Sequence, residues 1–160
     1  MFSIVLLCVG RLKEKFYLSA AGEYAKRLQG FADFSLIELP ECRLPENPSD
    51  GEIRQGLAKE AELIRQKLPK NAWLCVLAPE GKTASSEELA AIMKNVKISG
   101  KSCACFLIGS SFGLDDSIKK QADLLLSMSK MTFPHHLARI MVLEQLYRAE
   151  SIQAGTKYHK

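Results

Sequence analysis

Short, almost wholly apolar runs alternate with longer amphipathic stretches along this chain, and that alternation predicts its elements. Ser3 to Val9 is built almost entirely of Ile, Val, Leu and Cys and stops at Gly10. An apolar run of that length fits a strand buried on both faces, as in a parallel sheet. From Leu12 to Leu28 apolar residues recur at 12, 16, 17, 20, 21, 24, 25 and 28, and Gly30 follows; this is the stripe and the stop of an amphipathic helix. Phe34 to Leu39, Trp73 to Leu77, Cys103 to Ile108 and Leu124 to Ser127 read as four further strands.

The helices between them announce their starts. Ser49-Asp50-Gly51-Glu52 and Ser85-Ser86-Glu87-Glu88 both have capping-box spacing, opening helices to about Leu68 and Val96, with Pro69 and Gly100 beyond their ends. Asp115 and Asp116 cap a short helix, and Pro134 fits the first turn of a last one running to about Ile152. Pro40 to Pro48, with three prolines, reads as a surface loop and not as a domain linker. The order βαβαβαβαβα predicts a single α/β domain over residues 1–160, a mostly parallel sheet with helices on both faces. The last helix, Leu137 to Ala149, is apolar around most of its circumference, more than one sheet contact requires. Its second face predicts a homodimer.

Composition narrows the class. At 160 residues, 47% hydrophobic and 25% charged, the chain suits one domain with a substantial core. A net charge of +4 permits a nucleic-acid or ribosome partner without requiring one. The five cysteines are odd in number, and Cys8, Cys75, Cys103 and Cys105 sit in apolar runs, which reads as reduced thiols in a cytoplasmic protein. No Cys-x-x-Cys or histidine at ligand spacing suggests a metal. Ile4 to Val9 is too short for a signal-peptide core or a membrane span, and no other stretch approaches one.

Three loops follow strand ends and carry the candidate chemistry: Leu77-Ala78-Pro79-Glu80-Gly81-Lys82, Gly109-Ser110-Ser111-Phe112-Gly113, and Met128 to Phe133. Glycine-bearing turns at the carboxyl edge of a parallel sheet let ligands approach the backbone, so the three together predict a pocket. Each glycine taken alone is more often a turn residue, and Met128, Met131 and Phe133 taken alone are more often core. There is no phosphate-binding Gly-x-x-x-x-Gly-Lys-Ser/Thr, no Gly-x-Gly-x-x-Gly after the first strand, and no Gly-x-Ser-x-Gly elbow. Nicotinamide and acyl-transfer chemistries are disfavoured accordingly.

A resemblance is carried by Val9-Gly10-Arg11-Leu12-Lys13, the Leu77 to Lys82 loop, Ile108-Gly109 to Gly113-Leu114, Leu126 to His135, Glu144-Gln145-Leu146-Tyr147-Arg148-Ala149 and Tyr158-His159-Lys160. In order and combination these resemble the RlmH (YbeA) family of the SPOUT superfamily, whose members use S-adenosyl-L-methionine to methylate N3 of a pseudouridine in 23S ribosomal RNA. The resemblance implies a C-terminal trefoil knot, which periodicity does not suggest. It also implies a homodimer acting on RNA within the ribosome, with no membrane and no metal. Cofactor contacts carried over by position fall on Leu77, Gly109, Met128, Ser129, Lys130, Met131, Thr132 and Phe133. Leu77, Met131 and Phe133 would wall an adenine ring, while Lys130 reads equally as a solvated loop charge.

The resemblance also places Glu144, Arg148, Tyr158 and His159 at the site, the tail coming from the partner subunit. On spacing alone Glu144 and Arg148 are an ordinary helical ion pair and Tyr158-His159-Lys160 a frayed terminus. As catalytic residues, His159 or a water accepts the N3 proton, Arg148 holds a phosphate or uracil oxygen, and Tyr158 stacks on or orients the base. Arg11, Lys13, Lys15, Lys26 and Arg27 are candidates for RNA backbone contact or a solvated face. Two positions depart from the family pattern: Ser110 stands where many members have a second glycine, and Ala78 where many have an acid, with Glu80 a possible substitute. Those departures keep a non-catalytic ribosome- or RNA-binding module as an alternative. A transfer-RNA methyltransferase of the same superfamily is a second, disfavoured by the lack of an added RNA-binding domain.

Overall fold

The computed structural model describes residues 1–160 and contains ten elements in the expected order. These are β1 (Ser3–Val9), α1 (Lys15–Leu28), β2 (Asp33–Leu39), α2 (Asp50–Lys67), β3 (Trp73–Thr83), α3 (Ser86–Ile98), β4 (Cys103–Ile108), α4 (Asp116–Gln121), β5 (Leu124–Ser127) and α5 (His135–Gln153). All strands are parallel, in the order β2-β1-β4-β3-β5. Because β1 and β4 are central, alternate side chains serve opposite layers. Ile4, Leu6 and Cys8, with Ala104, Phe106 and Ile108, face the layer of α1, α3 and α5. Val5, Leu7, Val9, Cys103, Cys105 and Leu107 face α2 and α4, which contribute Ala61, Ile64 and Ile118. Continuous apolar runs were required at these two strands for that reason.

Both predicted capping boxes form. Ser49 Oγ accepts from Glu52 N at 3.2 Å while Glu52 Oε1 accepts from Ser49 N at 3.1 Å, and Ser85 and Glu88 repeat the exchange at 3.0 and 2.7 Å. Two boundaries differ. Helix α1 starts at Lys15 and not at Leu12: Gly10 turns the chain at φ +107°, Leu12 N–H donates to Glu38 Oε2 at 2.9 Å, and Glu14 is still extended at ψ 130°. Pro134 sits one place before the first turn of α5, at ψ 137°, with its carbonyl accepting from Ala138 N at 2.9 Å. Buried thiols pack as apolar groups: burial pushes Cys8, Cys75 and Cys105 up to about 12.

Helix α5 lies between α1 and α3, packed against both. Much of the apolar breadth that the sequence assigned to a second subunit is therefore taken up within the chain, and Leu137 is the one exposed residue of the helix. Phe16 and Leu18 near the start of α1, and Leu137 near the start of α5, are the apolar groups left to solvent there.

Strand β3 is longer than Trp73 to Leu77. Leu77 pairs with Leu126, residues 78–81 detour, and Lys82 then returns to pair with Leu126 as well. The detour passes so close to β5 that a Cβ on Gly81 would lie 2.7 Å from the Leu125 carbonyl carbon and oxygen. Glycine is required here by the approach of two backbones, not by a turn.

Candidate active site

The three loops meet at the carboxyl end of the sheet around a cavity of about 640 Å³. That volume lies within the range of small-ligand sites, ~300–1,000 Å³. All eight residues expected to contact a cofactor line it: Leu77 after β3, Gly109 after β4, and Met128 through Phe133 after β5. Lys82 does not, because it rejoins the β-ladder. Periodicity missed other wall residues, notably Ile108 and Leu126 at the strand ends, Lys119 of α4, and His135 and Ala138 of α5. Met131, expected as an apolar wall, is 75% exposed and belongs to the rim.

Each loop is held by contacts that its sequence allows. After β4 the chain folds back so tightly that a Cβ on Gly109 would lie 2.4 Å from Gly113 O and 2.6 Å from Leu114 Cγ. Gly113, at φ +89°, then donates its N–H to Ser110 O at 2.8 Å. After β5, Ser127 Oγ donates to Ser129 O at 3.0 Å and Ser129 Oγ accepts from Met131 N at 3.0 Å. The departures from the family pattern have local explanations. Ser110 does not adopt positive φ, so serine carries no backbone strain there. Ala78 is buried. Glu80 lines the cavity, but its carboxylate pairs with Lys119 Nζ at 2.7 Å, and that contact holds it below the usual carboxylate range. His135 is held below the ordinary histidine value, first by burial and then by His136, so the cavity wall presents a neutral imidazole.

A second cluster lies along α5. Glu144 Oε1 accepts from Arg148 Nε at 2.8 Å and from Tyr158 Oη at 3.1 Å, and Glu144 Oε2 accepts from Gln145 Nε2 at 2.9 Å. The Tyr158 ring lies 4.8 Å from Arg148 Cζ and edge-on to Tyr147 at 4.6 Å. Burial and the Glu144 charge push the Tyr158 phenol up to about 12, so it stays protonated and donates. His159 is held at both nitrogens, Nδ1 by Arg148 Nη1 at 3.1 Å and Nε2 by Glu87 Oε1 at 2.8 Å. A guanidinium only donates, so this assigns the neutral tautomer with Nε2–H toward Glu87 and the Nδ1 lone pair toward Arg148. The tail is thus folded onto its own helix and not frayed.

The structure brings Glu144, Arg148, Tyr158 and His159 together, but none of the four lines the cavity of the same chain. Glu144 is nine residues along α5 from His135, about 13 Å at 1.5 Å per residue. It lines a second hollow of about 550 Å³ between α1, α3 and α5, which shares Leu126, Ser127 and Met128 with the first.

Three buried charged groups escaped the sequence reading: Glu150 of α5, which pairs with Lys97 of α3, and two nearer the cavity. Arg139 of α5 is 1% exposed; it pairs with Glu38 of β2 and donates from Nη2 to Gly10 O at 3.0 Å. Glu60 of α2 is 4% exposed, with its pKa pushed up chiefly by burial. Neither partner lies at a local spacing that a sequence pattern would show. No three His, Cys, Asp or Glu side chains are grouped to hold a metal, and no helix is long and apolar enough to cross a membrane.

Residues 2–159 match the family model described as "Predicted SPOUT methyltransferase". The chain is 46% identical over 157 residues to a protein of Bifidobacterium adolescentis named ribosomal RNA large subunit methyltransferase H, covering 98% of this chain and 99% of that one. A protein of the same name from Streptococcus equi subsp. zooepidemicus is 44% identical over the same proportions. Among solved structures, a probable methyltransferase from Bordetella pertussis is similar in fold, with a TM-score of 0.54 at 10% identity over 92% of this chain and 95% of that one. A probable methylase family protein from Haemophilus influenzae has a TM-score of 0.51 at 15% identity, over 99% of this chain and 70% of that one.

Proposed function

The chain belongs to the SPOUT methyltransferase family, alongside relatives named ribosomal RNA large subunit methyltransferase H, and from that premise we propose that it methylates N3 of a pseudouridine in 23S ribosomal RNA. In this reading the methyl donor is S-adenosyl-L-methionine, the substrate is RNA within the ribosome, and the enzyme is a cytoplasmic homodimer. The observation that carries it is the convergence of all eight expected cofactor residues on one cavity. The donor set fits such a ligand: Leu77, Ile108, Leu126 and Phe133 offer apolar walls to an adenine ring, and the Gly109 turn leaves room for close backbone approach. The C-terminal trefoil knot that the resemblance implies belongs to this reading as well.

S-adenosyl-L-methionine supplies a methyl group on a sulfonium sulfur, ready for direct displacement. The protein's tasks are then to align the acceptor, exclude water and take the N3 proton. The chain's own residues divide those tasks. The loops after β3, β4 and β5 position the donor. Arg148 engages a phosphate or uracil oxygen, and Tyr158 offers a ring to the base. As Arg148 turns to the substrate it releases the His159 Nδ1 lone pair, which accepts the proton, while Glu87 keeps Nε2–H in place. Glu144, accepting three hydrogen bonds, orients Arg148 and Tyr158 and is not the base. Because these groups lie away from their own chain's cavity, they serve the partner's, and the exposed Phe16, Leu18 and Leu137 supply part of the contact between subunits.

The test uses tritium-labelled S-adenosylmethionine and ribosomes from a strain lacking any related methyltransferase, with the label mapped by nuclease digestion and mass spectrometry. Label is expected on one large-subunit pseudouridine. Label in transfer RNA instead, or none despite cofactor binding, would refute the substrate. Gly109→Ala is expected to weaken calorimetric binding of S-adenosylmethionine at least about tenfold, since overpacking against the Gly113 backbone costs ~1–3 kcal/mol and moves the loop.

A further inference from the structure

We propose that Glu60 is a positioning residue for the cofactor cavity, its buried carboxylate clamping the Gly109–Gly113 loop to the Pro40–Pro48 loop. The inference rests on the reading of that cavity as a methyl-donor site. One oxygen, Oε1, accepts from Ser110 Oγ at 3.0 Å; the other, Oε2, accepts from Cys42 N at 2.8 Å. Ser110 lines the cavity, whereas Glu60 and Cys42 do not, so the carboxylate acts on the site only through the loop. A second tie runs parallel to it, from Ser111 Oγ to Glu41 Oε1 at 3.2 Å. The Cys42 end is itself seated on α2: a Cβ on Gly56 would lie 3.0 Å from Leu44 Cδ2 and 3.7 Å from Cys42 Sγ, so the small residue lets this loop lie flat on the helix.

A buried carboxylate is costly to keep unless something compensates it. Glu60 pairs with no lysine, arginine or histidine, and the charged group acting on it is Glu41, of like sign. A group serving stability alone would be better replaced by an apolar one. What this carboxylate does that an apolar side chain cannot is hold two loops from different parts of the chain at one point. The Pro40–Pro48 loop, which the sequence marked as a mere surface connection, thereby becomes a brace behind the cavity. Serine at position 110 is what makes the clamp possible.

The experiment compares Glu60→Ala, Ser110→Ala, the double variant and Glu60→Gln by calorimetric titration with S-adenosylmethionine and by steady-state methylation of ribosomes. Both alanine variants are expected to bind about tenfold more weakly, since both lose the Ser110–Glu60 hydrogen bond that fixes the cavity loop. The double variant is expected to be no weaker than Glu60→Ala, since both remove the same tie. Glu60→Gln is expected to keep affinity within about threefold, its carbonyl accepting from Cys42 N and its amide donating to Ser110 Oγ. The loss in Glu60→Ala is expected in KM for the cofactor and not in kcat. Unchanged affinity in Ser110→Ala, or additive losses in the double variant, would overturn the clamp while leaving the methyl-donor reading intact; should Glu60→Ala fail to fold, Ser110→Ala decides alone. No binding by the wild-type protein would overturn both.

Discussion

Glu38→Ala is expected to destabilise the protein by about 3–5 kcal/mol, the loss typical when one partner of a buried ion pair is removed. That is a large part of the ~5–15 kcal/mol holding a domain of this kind together. The reason lies in what is left behind. Arg139 is 1% exposed, so without Glu38 its guanidinium keeps one hydrogen bond, to Gly10 O, and no counter-charge. Its Nε already has no partner. Glu38 Oε2 also accepts from Leu12 N, so the same substitution strands a backbone donor beside a buried Leu12. Arg139→Met removes the buried charge and leaves Glu38, which is 29% exposed, able to reach water, so it is expected to lose less. Urea unfolding of both variants at one protein concentration, with unchanged m-values, measures the difference. A loss in Glu38→Ala no larger than in Arg139→Met would show that the guanidinium finds water. Arg139 is one turn beyond His135, so the ion pair also fixes the end of α5 that walls the cavity.

Local signals were legible in the sequence where one segment determines its own structure. The Ser49 and Ser85 capping boxes appear as read because donor and acceptor are three residues apart on one chain segment. Strands β1 and β4 were marked by unbroken apolar runs because they are central and buried on both faces. The three cavity loops were visible because each follows a strand end, with glycines in the first two, and the resemblance then named the cofactor contacts within them. What the sequence hid is non-local. Strand order β2-β1-β4-β3-β5 leaves no trace in periodicity, which reports the faces of an element and not its neighbours. The Glu38–Arg139 and Glu60–Ser110 contacts join residues 101 and 50 positions apart. The contact from Leu12 N–H to Glu38 on another strand is non-local in the same way. The breadth of apolar surface on α5 was real, but periodicity does not say whether α1 and α3 or a second chain will cover it.

Deleting Tyr158-His159-Lys160 is expected to lower kcat for ribosome methylation about a hundredfold or more, the scale of losing a positioned proton acceptor, while leaving the fold and the cofactor affinity within about twofold. Neither Tyr158 nor His159 lines the cavity, so the binding walls survive the deletion. The Glu144–Arg148 pair survives too, as an i, i+4 pair within α5. A sharper result comes from mixing this truncated protein with Gly109→Ala at a cofactor concentration too low to fill the Gly109→Ala cavity, so that each alone has little activity. If the tail of one subunit completes the cavity of the other, a mixed dimer holds one intact site, made of the truncated chain's cavity and the Gly109→Ala chain's tail. Random exchange at equal amounts makes half the dimers mixed, each with one good site of two, so about a quarter of wild-type activity returns. If the tail instead serves its own chain, every site in the mixture lacks either a cavity or a tail, and no activity returns. The distance along α5 from His135 to Glu144 favours the first outcome, because one rigid helix holds its own cavity and its own tail cluster about 13 Å apart.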